Sequence, residues 1–142
     1  MTEKPSLTLK RRLPAPPSKV FAAWTEPDRI ARWFGPHGSE VLEAEAEPRV
    51  GGRFRILMRT PDGEEHGVAG DYREVVPDRK LVFTWAWRST PERESLVTLS
   101  LDGDGGGTLL TLHHTGFFDE QARAGHEHGW TESLERLEVY LA

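Results

Sequence analysis

Val20-Phe21-Ala22-Ala23-Trp24-Thr25-Glu26-Pro27-Asp28-Arg29-Ile30-Ala31-Arg32-Trp33-Phe34-Gly35-Pro36 encodes two short helices with a sharp corner between them. Pro17 stands just ahead, where a first helical turn has no N–H partner to lose. Val20, Phe21 and Trp24 then share one helical face. Thr25 and Asp28 fit the capping-box spacing that restarts a helix after a break. Ile30, Trp33 and Phe34 repeat the i, i+3, i+4 pattern. Gly35 and Pro36 end it, because glycine accepts a left-handed cap and proline cannot continue the helix. Two tryptophans and two phenylalanines in so short a span make either a core plug or the wall of an apolar pocket.

Beyond Pro36 the period changes from helical to two and stays there for most of the chain. Ahead of the helices, Leu7 to Leu13 alternates as a first strand. After them come Val41 to Ala46, then a strand opened by Gly51-Gly52 with Phe54, Ile56 and Met58 on one face. Pro61-Asp62-Gly63 reads as a turn with glycine at a positive φ. His66 to Val76 returns, Pro77-Asp78 turns again, and Leu81, Phe83, Trp85 and Trp87 line one face of the next strand. Leu96 to Leu101 and Thr108 to Thr115 complete the set, with 102–107 as a glycine-rich hairpin loop and Leu110, Leu112 and His114 on one face. Trp130, Leu134, Leu137 and Leu141 then recur as a single helical stripe. Gly125 and Gly129 weaken the first turns of that helix by about 1 kcal/mol each relative to alanine, so its start stays open.

The order is therefore strand, two helices, six strands, long helix. Short turns between consecutive strands demand an antiparallel sheet, and its apolar face needs a cover. The terminal helix alone is long enough to provide one. The expected fold is α+β: a curved antiparallel sheet wrapped around a long C-terminal helix, with two short helices after the first strand. At 142 residues the chain is expected to form a single domain, 1–142, with room for a core and a cavity.

Charge and composition narrow the function. The formal charge is −5, which argues against nucleic acid as a partner, since phosphate recognition needs clustered cations. Residues 1–36 carry a net +4 and the remainder −9, a division that reads as a solvated surface or as a mildly basic face for an acidic protein. The chain has no cysteine, which removes disulfides and thiolate chemistry. No apolar run reaches the ~20 residues of a membrane span, and the first residues lack a signal-peptide h-region. A cytoplasmic protein without a membrane partner is the expectation.

Five segments, in this order, resemble the START-like superfamily, also called SRPBCC or Bet v-like. They are Val20-Phe21-Ala22-Ala23-Trp24-Thr25; Arg32-Trp33-Phe34-Gly35-Pro36; Val50-Gly51-Gly52-Arg53-Phe54; Gly70-Asp71-Tyr72-Arg73-Glu74-Val75 with Leu81-Val82-Phe83-Thr84-Trp85; and Gly129-Trp130 ahead of the leucine stripe. Within the superfamily the chain is most similar to the branch named for the activator of the ninety-kilodalton heat-shock protein's ATPase. The resemblance implies a helix-grip fold with a cavity between sheet and long helix. It implies less about activity, because one fold hosts many functions: members of the superfamily bind lipids, sterols or polyketides, some cyclise polyketides, and the eukaryotic branch member is a co-chaperone.

No motif spells out a catalytic set. His113, His114, His126 and His128 cluster with Asp119, Glu120 and Glu127, but His126 and His128 point apart on a helix and His113 and His114 face opposite sides of a strand. His114 and His126 could meet across the cavity, which is two ligands without a third. No metal and no cofactor are expected. His114, His126 and Tyr72 are the only candidates for an acid or base. For His114 the alternative is a hydrogen bond to the backbone, Thr131 or Ser133.

The aromatic residues are the more substantial signal. Trp33, Phe34, Phe83, Trp85, Trp87 and Trp130, together with His114, form the candidate ligand-binding set, although Phe21, Phe54 and Phe83 also read as core. Apolar-ligand pockets have such aromatic walls with one or two polar groups. The leading expectation is a carrier or sensor of a small hydrophobic molecule. The alternatives are a cyclase- or hydrolase-type enzyme working on a polycyclic or polyketide-like substrate in the same cavity, and a co-chaperone-like module with a heat-shock-protein partner. A homodimer is compatible with all three, and no patch in the sequence marks one.

Overall fold

The computed structural model describes residues 4–142. The chain begins with strand β1 (Ser6–Leu13), turns into helices α1 (Pro17–Thr25) and α2 (Pro27–Trp33), and continues through β2 (Glu40–Ala46), β3 (Arg53–Arg59), β4 (Glu65–Val76), β5 (Lys80–Trp87), β6 (Ser95–Asp104) and β7 (Gly107–Thr115) to helix α3 (Glu120–Leu141). The strands form one seven-stranded sheet in the order β1-β7-β6-β5-β4-β3-β2, antiparallel throughout. Register shifts at Val41/Glu43 and Tyr72/Glu74 bend it, because an extra residue on one strand kinks the ladder and sharpens its twist. The curved sheet holds α3 against its concave face, as the sequence pattern predicts.

The inner face is the alternation made solid. Phe54, Ile56 and Met58 of β3, Phe83 and Trp85 of β5, Val97, Leu99 and Leu101 of β6, and Leu110 and Leu112 of β7 are all buried. Against them α3 presents Trp130, Leu134 and Leu137, also buried. Each such side chain contributes roughly 1.5–3 kcal/mol of transfer free energy. Arg11, on the inward side of β1, is carried there by an ion pair to Glu138 of α3 at 2.8 Å.

Three local details differ from the sequence expectation. The capping box does not form. Thr25 is the last residue of α1, and its hydroxyl donates back to the Phe21 carbonyl at 2.8 Å, while Glu26 caps α2 without a side-chain bond. The corner comes from Pro27 at the start of α2. Second, 102–107 is not a long loop. The ladder runs on to Asp104 opposite Gly107, leaving a two-residue turn of Gly105 and Gly106 with φ of 56° and 87°, the signs a tight primed hairpin requires. Third, α3 starts at Glu120 with an N-cap the sequence reading passed over: the Asp119 carboxylate accepts from the Ala122 N–H at 2.8 Å. That cap and 22 residues of length outweigh the two glycines. Gly35, by contrast, sits where expected, at φ 102° just after α2.

Gly70 marks the tightest approach of β4 to β5. A methyl group there would stand 1.8 Å from the Thr84 carbonyl oxygen and 2.7 Å from the Phe54 ring. Backbone cannot yield as a flexible side chain can, so Gly70→Ala should destabilise the protein by about 3 kcal/mol or more, read as a lower urea midpoint. An unchanged midpoint would contradict this packing.

Candidate functional site

Helix α3 turns two different arcs inward. Trp130, Leu134 and Leu137 enter the core, whereas Ala122, Gly125, Gly129 and Ser133, spaced i, i+3, i+7 and i+11, lie on the neighbouring arc. Opposite them stand Trp85 and Trp87 of β5, Met58 of β3 and the Phe34-Gly35-Pro36 corner after α2. Between the two walls is a cavity of about 680 Å³, open at one end. Its mouth carries Thr60, Glu65, His66, Gly67, Arg88 and Ser89. Small residues on α3 make this space: a side chain built on Gly125 or Gly129 would meet nothing within 4 Å.

The corner is held from α3. Arg136, one turn past Ser133, donates through Nη1 to the carbonyls of Phe34, Gly35 and Pro36 at 3.0, 3.0 and 3.1 Å. These carbonyls belong to the cap of α2 and the two residues beyond it, and Pro36 also accepts from the Ser39 N–H at 3.0 Å. Half-buried and facing only dipoles, the guanidinium has its pKa lowered by desolvation.

Nine residues singled out from the sequence fall into three groups. Phe34, Trp85, Trp87, His126 and Trp130 line the cavity. Trp33, Phe83 and Tyr72 do not. They surround a separate small void of about 20 Å³ beneath the corner, and Trp33 is fully buried with its indole N–H on the Ala23 carbonyl at 2.9 Å. His114 is fully buried behind Trp85 and Trp130. The sequence reading passed over Arg136, Ser95 and the glycine arc. The i, i+3, i+7, i+11 spacing of small residues was the available signal for the last.

His114 and His126 do approach one another, with ring centroids 5.3 Å apart, yet each ring is saturated. An indole N–H can only donate. The Trp130 N–H reaches His114 Nδ1 at 3.0 Å, so the proton of His114 lies on Nε2. It donates to Ser95 Oγ at 2.7 Å, and the hydroxyl passes its own proton to the Trp85 carbonyl at 3.3 Å. Ser95 and His114 thus sit at nucleophile–base distance in the opposite tautomer, with no lone pair on the histidine to accept the serine proton. Thr131 and Ser133, the partners considered for His114, bond instead to the Glu127 and Gly129 carbonyls of their own helix.

In His126 the arrangement is reversed. Nδ1–H donates to the Ala122 carbonyl at 2.7 Å, and Nε2 accepts from both Trp87, at 2.9 Å, and Trp85, at 3.3 Å. Protonation would break both indole bonds. Burial lowers the pKa of His126, with the Ala122 bond opposing. Burial, reinforced by the neighbouring His126 and His113, takes His114 down to about 2. Tyr72 is pushed up to about 12 by burial, out of reach of base chemistry near neutrality. Among the described residues, the group with metal-like spacing is Asp62, Glu64 and His66, at an exposed turn.

Curved sheet, gripped helix and interposed cavity define a helix-grip protein of the START-like class. The family model described as Activator of Hsp90 ATPase homolog 1-like protein matches residues 14–142, and the chain belongs to that family. The human protein named Activator of 90 kDa heat shock protein ATPase homolog 1 is 25% identical over 140 residues, a match covering 96% of this chain and 38% of the human one. The chain thus spans well under half the length of that relative. Among solved structures, a Chromobacterium violaceum protein has a TM-score of 0.86 at 27% identity, covering 96% of this chain and 97% of its own. The AHSA1 protein of Silicibacter pomeroyi has a TM-score of 0.86 at 28% identity, with 96% and 97% covered. No helix among the described residues is long and apolar enough to cross a membrane.

The buried histidines make stability depend on pH. In the unfolded chain a histidine takes up its proton near pH 6.5, whereas folded His114 stays neutral down to about 2. Below 6.5 the unfolded state therefore binds more protons, and stability falls as pH drops, by about 1.4 kcal/mol per unit for one such group. His126, lowered in the same direction, adds to the slope. Urea unfolding should show His114→Gln with a flatter profile than the parent between about pH 6 and about pH 5. Parallel profiles would mean that His114 is not held neutral.

Proposed function

We propose that the protein binds a small, largely apolar molecule between α3 and β5, as a cytoplasmic carrier or sensor. The observation that carries this reading is the empty space beside Gly125 and Gly129. Helix interiors disfavour glycine by about 1 kcal/mol relative to alanine, and a core helix gains by filling such space. Two glycines and an alanine on the arc that faces Trp85 and Trp87 keep open a volume within the range of ligand pockets, roughly 300–1,000 Å³. The absence of a free lone pair on His114 or His126 favours carriage over catalysis, since a general base needs one within reach of its substrate.

A second reading is supported by the human relative, whose name describes an activator of a heat-shock ATPase: this chain would serve as a co-chaperone-like module for a host heat-shock protein. The two readings separate experimentally, because filling the cavity should abolish ligand binding and leave a surface interaction intact.

The test uses N-phenyl-1-naphthylamine, a neutral aromatic probe that fluoresces when it leaves water. It should bind the parent protein, and Gly129→Leu should weaken that binding at least about tenfold while the thermal midpoint holds or rises, since leucine is the better helix former. Unchanged probe affinity in Gly129→Leu, or no binding to the parent, would overturn the cavity as a binding site.

A further inference from the structure

We propose that the molecule this cavity takes is a carboxylic acid with an apolar, ring-bearing body, and that it binds with its proton on His126. The carboxylate then accepts N–H bonds from His126, Trp85 and Trp87. The inference rests on the cavity reading above and concerns the polar cluster in the inner wall.

Trp85, Trp87 and His126 all line the cavity. They meet at its edge: the indoles stand on β5, the imidazole on α3, with ring centroids 6.3 and 5.9 Å apart. Both indole N–H groups aim at a single atom, His126 Nε2, from 3.3 and 2.9 Å. The other ring nitrogen keeps its proton on the Ala122 carbonyl at 2.7 Å. Nε2 is therefore the place where this imidazole takes up a second proton. An indole N–H cannot accept, so protonation turns a self-satisfied cluster into three donors facing one another without an acceptor. One anionic oxygen among them satisfies all three, through charge-assisted bonds roughly twice as strong as neutral ones.

A carboxylic acid supplies both parts. Its O–H bond breaks, the Nε2–H bond forms, and the carboxylate stays as counter-ion, so the cavity gains no net charge. An acid that arrives ionised draws the same proton from water. The chain itself offers no such counter-ion: among the described residues, no carboxylate bonds to His126. On its own helix, Arg123 is held by Glu120 and Glu127. From β7 it faces His114, 5.3 Å away and neutral down to about 2. β5 presents the two indoles, and Phe117 packs at 4.9 Å. At the mouth, His66 lies against Trp87 at 6.3 Å, and Glu65 is 3.7 Å from Arg59. Space is at hand as well. Gly125 and Gly129 flank His126 on the helix, and a side chain at either would meet nothing within 4 Å. The rings can thus part by the ~1–2 Å that an inserted oxygen needs to stand at hydrogen-bond distance from each. The other inner donors are taken, the Trp130 N–H by His114 and the Ser133 hydroxyl by the Gly129 carbonyl.

The test uses 2-naphthoate. Calorimetry in buffers of different ionisation enthalpy should show the parent protein taking up about one proton per naphthoate bound near neutral pH, and affinity should rise at least about tenfold from about pH 8 to about pH 6. N-phenyl-1-naphthylamine, which has no carboxyl, should bind without proton uptake. In the parent, naphthoate should move the His126 ring-proton resonance to its imidazolium position. His126→Gln cannot titrate and should lose both the uptake and the pH dependence. Uptake that persists in His126→Gln, or a His126 resonance that stays neutral in the parent, would overturn the inference, because the acid would then bind un-ionised. Binding of N-phenyl-1-naphthylamine without any binding of naphthoate would also overturn it and leave the cavity reading in place. Binding of neither probe to the parent protein would overturn both.

Discussion

Trp130 is the point on which the three layers depend. Its indole stands 5.0 Å from Trp85 of the sheet, 5.8 Å from Trp24 of α1 and 6.2 Å from Phe34 at the corner. Its N–H anchors His114 of β7. Aromatic pairs of this kind each contribute about 0.5–1.5 kcal/mol beyond the area they bury, and here they converge on a single side chain. Because the ring is fixed from four sides, the rotation of α3 about its own axis is fixed too. That rotation decides which arc of the helix meets the core and which meets empty space.

The cavity follows from that constraint. Once Trp130, Leu134 and Leu137 are committed to the core, the next arc, Ala122, Gly125, Gly129 and Ser133, must face β5. Its small side chains cannot reach the opposite wall. Arg136 keeps the third wall in place by holding three carbonyls of the Phe34–Pro36 corner. Corner, helix and sheet are thus joined at the cavity's edges and separated at its centre. The histidines serve the same design: each accepts indole N–H on one ring nitrogen, His114 from Trp130 and His126 from Trp85 and Trp87, and donates from the other, to Ser95 and to the Ala122 carbonyl. They remain neutral because a charge in that setting would cost both burial and hydrogen bonds.

Much of this was legible in the residues. Alternation in β3, β5, β6 and β7 announced the inner face, and the Trp130–Leu141 stripe announced the cover. Gly35-Pro36 announced the end of α2. What stayed hidden was long-range. Thr25 satisfies a capping pattern on paper, but burial turns its hydroxyl to Phe21. Trp33 and Phe34 are adjacent and chemically alike, yet Trp33 borders only the small void, whereas Phe34, one residue past α2, borders both that void and the cavity. Gly125 and Gly129 read locally as helix weaknesses. Only the opposing wall reveals them as the source of the space. Arg136 lies a hundred residues from its partners, beyond any local pattern.

The central claim is that the space between α3 and β5 exists to be occupied. Native mass spectrometry of the protein purified from its own host measures this most directly. The account predicts a complex heavier than the bare chain by one small molecule, absent from a Gly129→Leu variant isolated in the same way. Bare chain alone in both preparations would contradict it.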